Sequence, residues 1–190
     1  MDEIPAIAPW PATPSTIPER MLWLADAYAE GAQVLCNALV EDNYQRQYTN
    51  TQVILHLCRH ATELFFKGAV AHKTKRRPLK THRLDRLYAE YRRFYPTEEF
   101  DIELPFPRSV LNPEAGLFPE LMDDYVRTHD QRFRYPADLD GKPFDERLPF
   151  DVLQYQEAID RFRSRLNWTV AKIAFGWGEK PKRRASSWRV

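Results

Sequence analysis

A chain of 190 residues, 43 % hydrophobic and 29 % charged, is long enough for one domain with a full core and too apolar to be disordered. Its formal net charge of +1 excludes a bulk pull toward nucleic acid or anionic membrane, so any such attraction must come from local clusters. No apolar run approaches the ~20 residues of a membrane span, and the N-terminus lacks the basic-then-apolar order of a signal peptide, so a soluble, cytoplasmic protein with no membrane partner is expected.

Residues 1–15 carry Pro5, Pro9, Pro11 and Pro14, which remove donors and disfavour helix, so they read as an extended Pro-rich arm. Ile4, Ile7 and Trp10 give that arm apolar side chains to pack on the domain or on a partner. Thr16-Ile17-Pro18-Glu19 is a capping-box pattern with proline in the first turn. It opens helix one, roughly 17–40, with Met21, Leu24, Tyr28, Leu35 and Leu39 expected on one inner face and Gly31 as a weak point. Helix two is expected over about 45–72. Its apolar face is Val53, Ile54, Leu57, Cys58, Ala61, Leu64 and Phe65. Cys36 and Cys58 both fall on apolar faces and read as buried free thiols, which suits a reducing compartment.

Helix three is expected from Thr81 or His82 to just before Pro96, with Leu84, Leu87, Tyr88 and Tyr91 inward. Residues 96–119 hold five prolines and read as a long irregular insertion, pinned to the core by Phe100, Ile102, Leu104, Phe106 and Leu117. A short helix over about 118–130 and an edge hairpin around Arg132 to Pro143, turning at Asp140-Gly141, follow. The last helix starts near Phe150 or Asp151. Val152, Tyr155, Ile159, Phe162, Leu166, Val170 and Ile173 keep helical spacing up to a stop at Gly176. Residues 179–190 form a basic, flexible tail. With no repeat and no alternating strand series, the fold class is all-α: a bundle of four to five helices over 16–178 with a Pro-rich irregular insertion.

Three constellations could carry chemistry. Advancing 100° per residue puts His56, Arg59, His60, Glu63 and Lys67 on one stripe of helix two. His56 and His60 have the i,i+4 spacing of a metal pair, but the glutamate of HExxH is absent and no further ligand cluster stands out. The stripe therefore reads as a structural polar network, with no metal and no cofactor assigned. The second is His72 to Arg83, with six Lys/Arg and two His in twelve residues, before a helix start where free N–H groups suit phosphate. His82 is its candidate proton carrier. The third is Arg127 to Pro136, where Arg127, Arg132 and Arg134 interleave with His129, Phe133 and Tyr135. Arginine forks hold phosphate and aromatics stack bases. The plainer readings are a solvated connector and surface arginines answering Asp123, Asp124, Asp130 and Asp138. No nucleophile elbow, phosphate-binding glycine loop, CxxC pair or dinucleotide fingerprint occurs.

An apolar helix with Arg59-His60-x-x-Glu63-Leu64-x-x-Lys67-Gly68, then a basic loop, then Thr81-His82-x-Leu84-x-x-Leu87, and later Arg134-Tyr135-Pro136 before Gly141, resembles HEPN domains over about residues 20–175. The resemblance implies a helical bundle, usually a homodimer, in RNA-directed defence or toxin–antitoxin systems, with an antitoxin or other protein as a further partner. Some members are metal-independent endoribonucleases, marked by Arg followed after four to six residues by His at a dimer cleft. Arg77 to His82 has four intervening residues and Arg76 to His82 has five. Pro78 inside the interval, and a place before helix three rather than later, depart from the family pattern, while Arg127 and His129 are separated by Thr128 alone. The resemblance thus implies His82, Arg77, His129 and Arg127 as catalytic candidates. Arg76, Lys80, Arg132, Arg134 and Tyr135 are the candidates for holding RNA. The alternative function is a non-catalytic helical interaction or dimerisation module.

Overall fold

The computed structural model describes residues 16–43, 47–112, 128–129, 131–138, 140–141, 143–144 and 151–176. The expected N-terminal arm, the basic tail, most of the expected 118–130 helix and Arg127 lie outside these residues. Among the described residues the fold is all-α, with four helices and no strand: α1 Ile17–Glu41, α2 Gln47–Thr74, α3 Leu84–Phe94 and α4 Val152–Phe175. No helix among them is long and apolar enough to cross a membrane.

α1 begins where the sequence signals it. The Glu19 carboxylate accepts from the Thr16 backbone N–H at 2.8 Å, and the Thr16 hydroxyl accepts from the Glu19 N–H at 3.4 Å, so two orphan donors are satisfied reciprocally. The buried face differs from the expected one. It is Leu22, Ala25, Ala29, Ala32, Cys36 and Leu39, whereas Leu24 is exposed and Tyr28 and Leu35 are only half-buried. Three of these six positions are alanines, and α1 runs close to α2 at its start. A β-carbon built on Gly68 of α2 lies 3.0 Å from the Pro18 carbonyl oxygen.

α2 is the central element and packs against α1, α3 and α4. From Cys58 onward it is buried almost all round, as a core helix is. Cys36 and Cys58 are both buried and free. Burial, with the Asp160 charge, pushes the Cys36 thiol up to about 11, and burial also raises Cys58.

α4 is capped by Asp151, whose carboxylate accepts from Leu153 N–H at 3.0 Å and Gln154 N–H at 3.4 Å, and it stops at Gly176 in the left-handed region, φ 65°. It presents Val152, Ile159, Phe162, Leu166, Val170 and Ile173 to the core. A row of side-chain bonds ties its flank to α1: Gln156 to Asn37 at 2.8 Å, Arg163 to Glu30 at 2.9 Å and Asn167 to Asp26 at 3.1 Å.

The segment after α3 is irregular, with two single turns of 3-10 helix at Glu98–Phe100 and Arg108–Val110. Ile102, Phe106, Val110 and Leu111 pin it to the core. Of the expected hairpin, the described residues show one antiparallel bridge, between Ala137 and Pro143 around Gly141, φ 79°. Pro143 has no N–H to extend the ladder.

Candidate functional site

α3 starts later than expected, at Leu84. The Thr81 hydroxyl accepts from the Arg83 N–H at 3.1 Å, which turns the chain before the helix and leaves His82 in extended loop rather than in a first turn. From there the His82 imidazole reaches back to α2. Its Nδ1 lies 2.9 Å from Glu63 Oε1, and its carbonyl accepts from Arg59 NH2 at 2.6 Å. Glu63 also receives Arg59 NH1 on Oε2 and Lys67 Nζ on Oε1, each at 2.8 Å.

This cluster is asymmetric in exposure. The Glu63 side chain is 5 % exposed and that of His82 is 66 % exposed. Burial alone would raise the Glu63 carboxyl. The hydrogen bonds from Lys67 and Arg59, and their charges, outweigh it and hold the group below the usual glutamate range. Glu63 is therefore a carboxylate at neutral pH and can only accept. His82 Nδ1 then donates the hydrogen of this contact, from an exposed ring.

The expected stripe on α2 accordingly divides. Arg59, Glu63 and Lys67 form one network with His82. His56 and His60 form another, with rings stacked at 5.9 Å and His60 edge-on to Tyr28 at 4.6 Å. Burial lowers both imidazoles, helped by Arg134 and Arg59, so both are neutral at physiological pH. Both Glu63 oxygens are engaged by cations, so the carboxylate does not combine with His56 and His60 as a ligand set. Among the described residues no three metal-ligating side chains converge.

Arg76, Arg77 and Lys80 lie exposed on the loop that leads to His82. Arg83, on the same loop, is held bidentately by Asp85 at 2.8 and 3.1 Å. His129, the other imidazole expected as a catalytic candidate, has different surroundings. It is 1 % exposed, wedged edge-on between Phe106 and Phe133, and burial with the charges of Arg59 and Arg132 pushes its imidazole down to about 3. A substrate has no access to that ring. His129 instead joins Phe106, after α3, to the segment that carries Phe133. On that segment Arg132 donates to the Thr128 hydroxyl at 2.8 Å and lies over Phe144 at 5.0 Å, while Arg134 lies over Tyr135 at 5.2 Å.

Sequence reasoning did not single out Gln52, one turn before His56, which lines a cleft of about 320 Å³ with Arg132, Arg134 and Tyr135. Nor did it join Glu63 to His82. A larger hollow of about 630 Å³ opens between the ends of α2 and α4, lined by Lys73, Lys75, Lys172 and Glu99. Lys73 and Lys172 sit in the last turns of their helices, where cations answer the helix dipole, and Lys172 is paired with Glu99 at 2.5 Å.

No protein-family model matches the chain, and no curated protein or solved structure matches it either.

Proposed function

We propose that this chain is a HEPN-like helical protein of a defence or toxin–antitoxin type system that binds RNA and cleaves it without a metal, with His82 as the proton carrier. The observation that carries this reading is the 2.9 Å contact between the buried Glu63 carboxylate and the exposed His82 imidazole. The buried carboxylate holds the ring and its tautomer, and leaves Nε2 facing solvent as a base. The loop beside it supplies cations that no described acidic side chain neutralises, Arg76 and Arg77.

In the proposed reaction His82 Nε2 takes the proton of a ribose 2′-hydroxyl. The 2′-oxygen attacks the adjacent phosphorus, and the 5′-oxygen leaves and is protonated. The products are a 2′,3′-cyclic phosphate and a 5′-hydroxyl. Arg77 stabilises the extra charge on the phosphorane. In a homodimer, a two-fold axis would bring a second His82 and Arg77 to the same cleft.

The test is incubation of the purified chain with single-stranded RNA in the presence of a chelator. The expected result is cleavage with cyclic phosphate ends, abolished in His82→Ala and strongly reduced in Arg77→Ala. No cleavage, or cleavage unchanged in His82→Ala, overturns this reading in favour of a non-catalytic interaction module.

A further inference from the structure

We propose that the cleft between the N-terminal part of α2 and the segment Arg132–Pro136 is a nucleotide subsite, with a base stacked on Tyr135 and its phosphate held by Arg134. Its volume of about 320 Å³ is at the low end of the ~300–1,000 Å³ of small-ligand sites, the scale of one nucleotide rather than of a folded partner.

Four observations converge. The described lining includes two guanidinium groups, Arg132 and Arg134, and no carboxylate. Arg134 bonds to no acidic side chain among the described residues; its contacts are the Tyr135 hydroxyl at 3.3 Å and the Tyr135 ring. Tyr135 is 52 % exposed, a large aromatic surface left open beside that cation. Finally, Gln52 Oε1 and, one turn further, His56 Nδ1 are buried with no hydrogen-bond partner among the described residues. Buried polar atoms are normally satisfied. An unsatisfied amide oxygen on a residue that lines the cleft is suited to a donor on the edge of a base.

The cleft also lies on the helix face that leads to Glu63. Gln52, His56 and Glu63 share one stripe, and at 1.5 Å per residue Gln52 is about 16 Å along the axis from Glu63. His82 sits on Glu63 at the far end of that stripe. The subsite rests on the ribonuclease reading for what happens at that far end, but its own chemistry, stacking plus a phosphate contact, does not.

The test measures binding of fluorescent single-stranded oligouridylate, oligoadenylate and a DNA strand of equal length, by anisotropy at two salt concentrations. The parent is the full chain carrying His82→Ala, so that no RNA is cut. Tyr135→Ala and Arg134→Gln are each expected to weaken binding at least about fivefold. Both losses should appear with RNA and with DNA, since neither contact involves the 2′-hydroxyl. Arg134→Gln should reduce the slope of log K against log salt by about 0.7, and Tyr135→Ala should leave it unchanged. Gln52→Leu should change the preference between oligouridylate and oligoadenylate. Parent-like binding in both Tyr135→Ala and Arg134→Gln, or no binding by the parent, overturns the subsite. If the wild-type chain nonetheless cuts RNA, the ribonuclease reading survives that result. If the two variants lose binding while the wild-type chain cuts nothing, the subsite stands and the ribonuclease reading falls.

Discussion

Glu63 and His82 are nineteen residues apart in sequence, and their side chains meet at 2.9 Å, one buried in the bundle and the other open to solvent. The carboxylate at this contact is also the only described acidic partner of two buried cations, Arg59 and Lys67, whose side chains are 4 % and 9 % exposed. Removing one member of a buried charge network leaves the others uncompensated, which costs about 3–5 kcal/mol.

Glu63→Gln is therefore expected to lower the unfolding free energy by about that amount in urea titrations at pH 7. The pH dependence has a definite sign. The folded-state pKa of Glu63 lies below its unfolded value, so its contribution is complete above about pH 4.5 and is lost as pH falls toward the folded value. Glu63→Gln should lose less stability than the wild type between pH 5 and the acid limit.

His129 titrates oppositely to a catalytic imidazole. Its folded pKa is about 3, against about 6.5 unfolded, so below pH 6.5 the unfolded chain binds more protons and stability is lost as pH falls. One such group gives a slope of up to about 1.4 kcal/mol per pH unit. His56, His60 and His72 are lowered as well and act with the same sign, so the informative quantity is a difference between variants. His129→Phe, which keeps an aromatic ring between Phe106 and Phe133, should flatten the stability profile between pH 6.5 and 5 relative to the wild type. An unchanged slope there would mean the imidazole is not held neutral.

Local signals were the legible ones. The Thr16 capping box, the Asp151 cap and the Gly176 stop each act within a few residues, and helix ends followed them. Large apolar side chains alone do not mark the inner face of α1, whose buried positions include Ala25, Ala29 and Ala32. Helix periodicity placed Glu63, Arg59 and Lys67 together, since the pattern repeats every turn. It could not bring in His82, because the loop that returns that residue to α2 has no periodicity. The interleaved arginines and aromatics at 132–135 were visible as composition, but Gln52 joins them only through tertiary packing.

Tyr91 fastens the irregular segment that follows α3. Its ring is fully buried among Phe65, Phe66 and Tyr95, and its hydroxyl donates to the Phe100 carbonyl at 2.6 Å. Tyr91→Phe preserves the packing and deletes the donor, leaving that carbonyl without this bond. A loss of about 1–2 kcal/mol is expected. Hydrogen exchange should show the loss of protection concentrated at residues 98–102 rather than spread over α2.

Two helical glycines should respond with opposite signs to the same substitution. At Gly68 an added β-carbon would lie 3.0 Å from the Pro18 carbonyl oxygen and 3.1 Å from Leu22 Cγ, with Leu22 itself fully buried. The first turn of α1 would have to move, so Gly68→Ala should destabilise by about 1–3 kcal/mol. At Gly31 the nearest atom is Leu57 Cδ1 at 3.8 Å, an ordinary contact. There alanine removes backbone freedom from the unfolded chain and favours the helix, so Gly31→Ala should stabilise by up to about 1 kcal/mol. Thermal unfolding of the two variants beside the wild type checks both signs at once. A stabilised Gly68→Ala would mean that α1 and α2 are not in the close contact described.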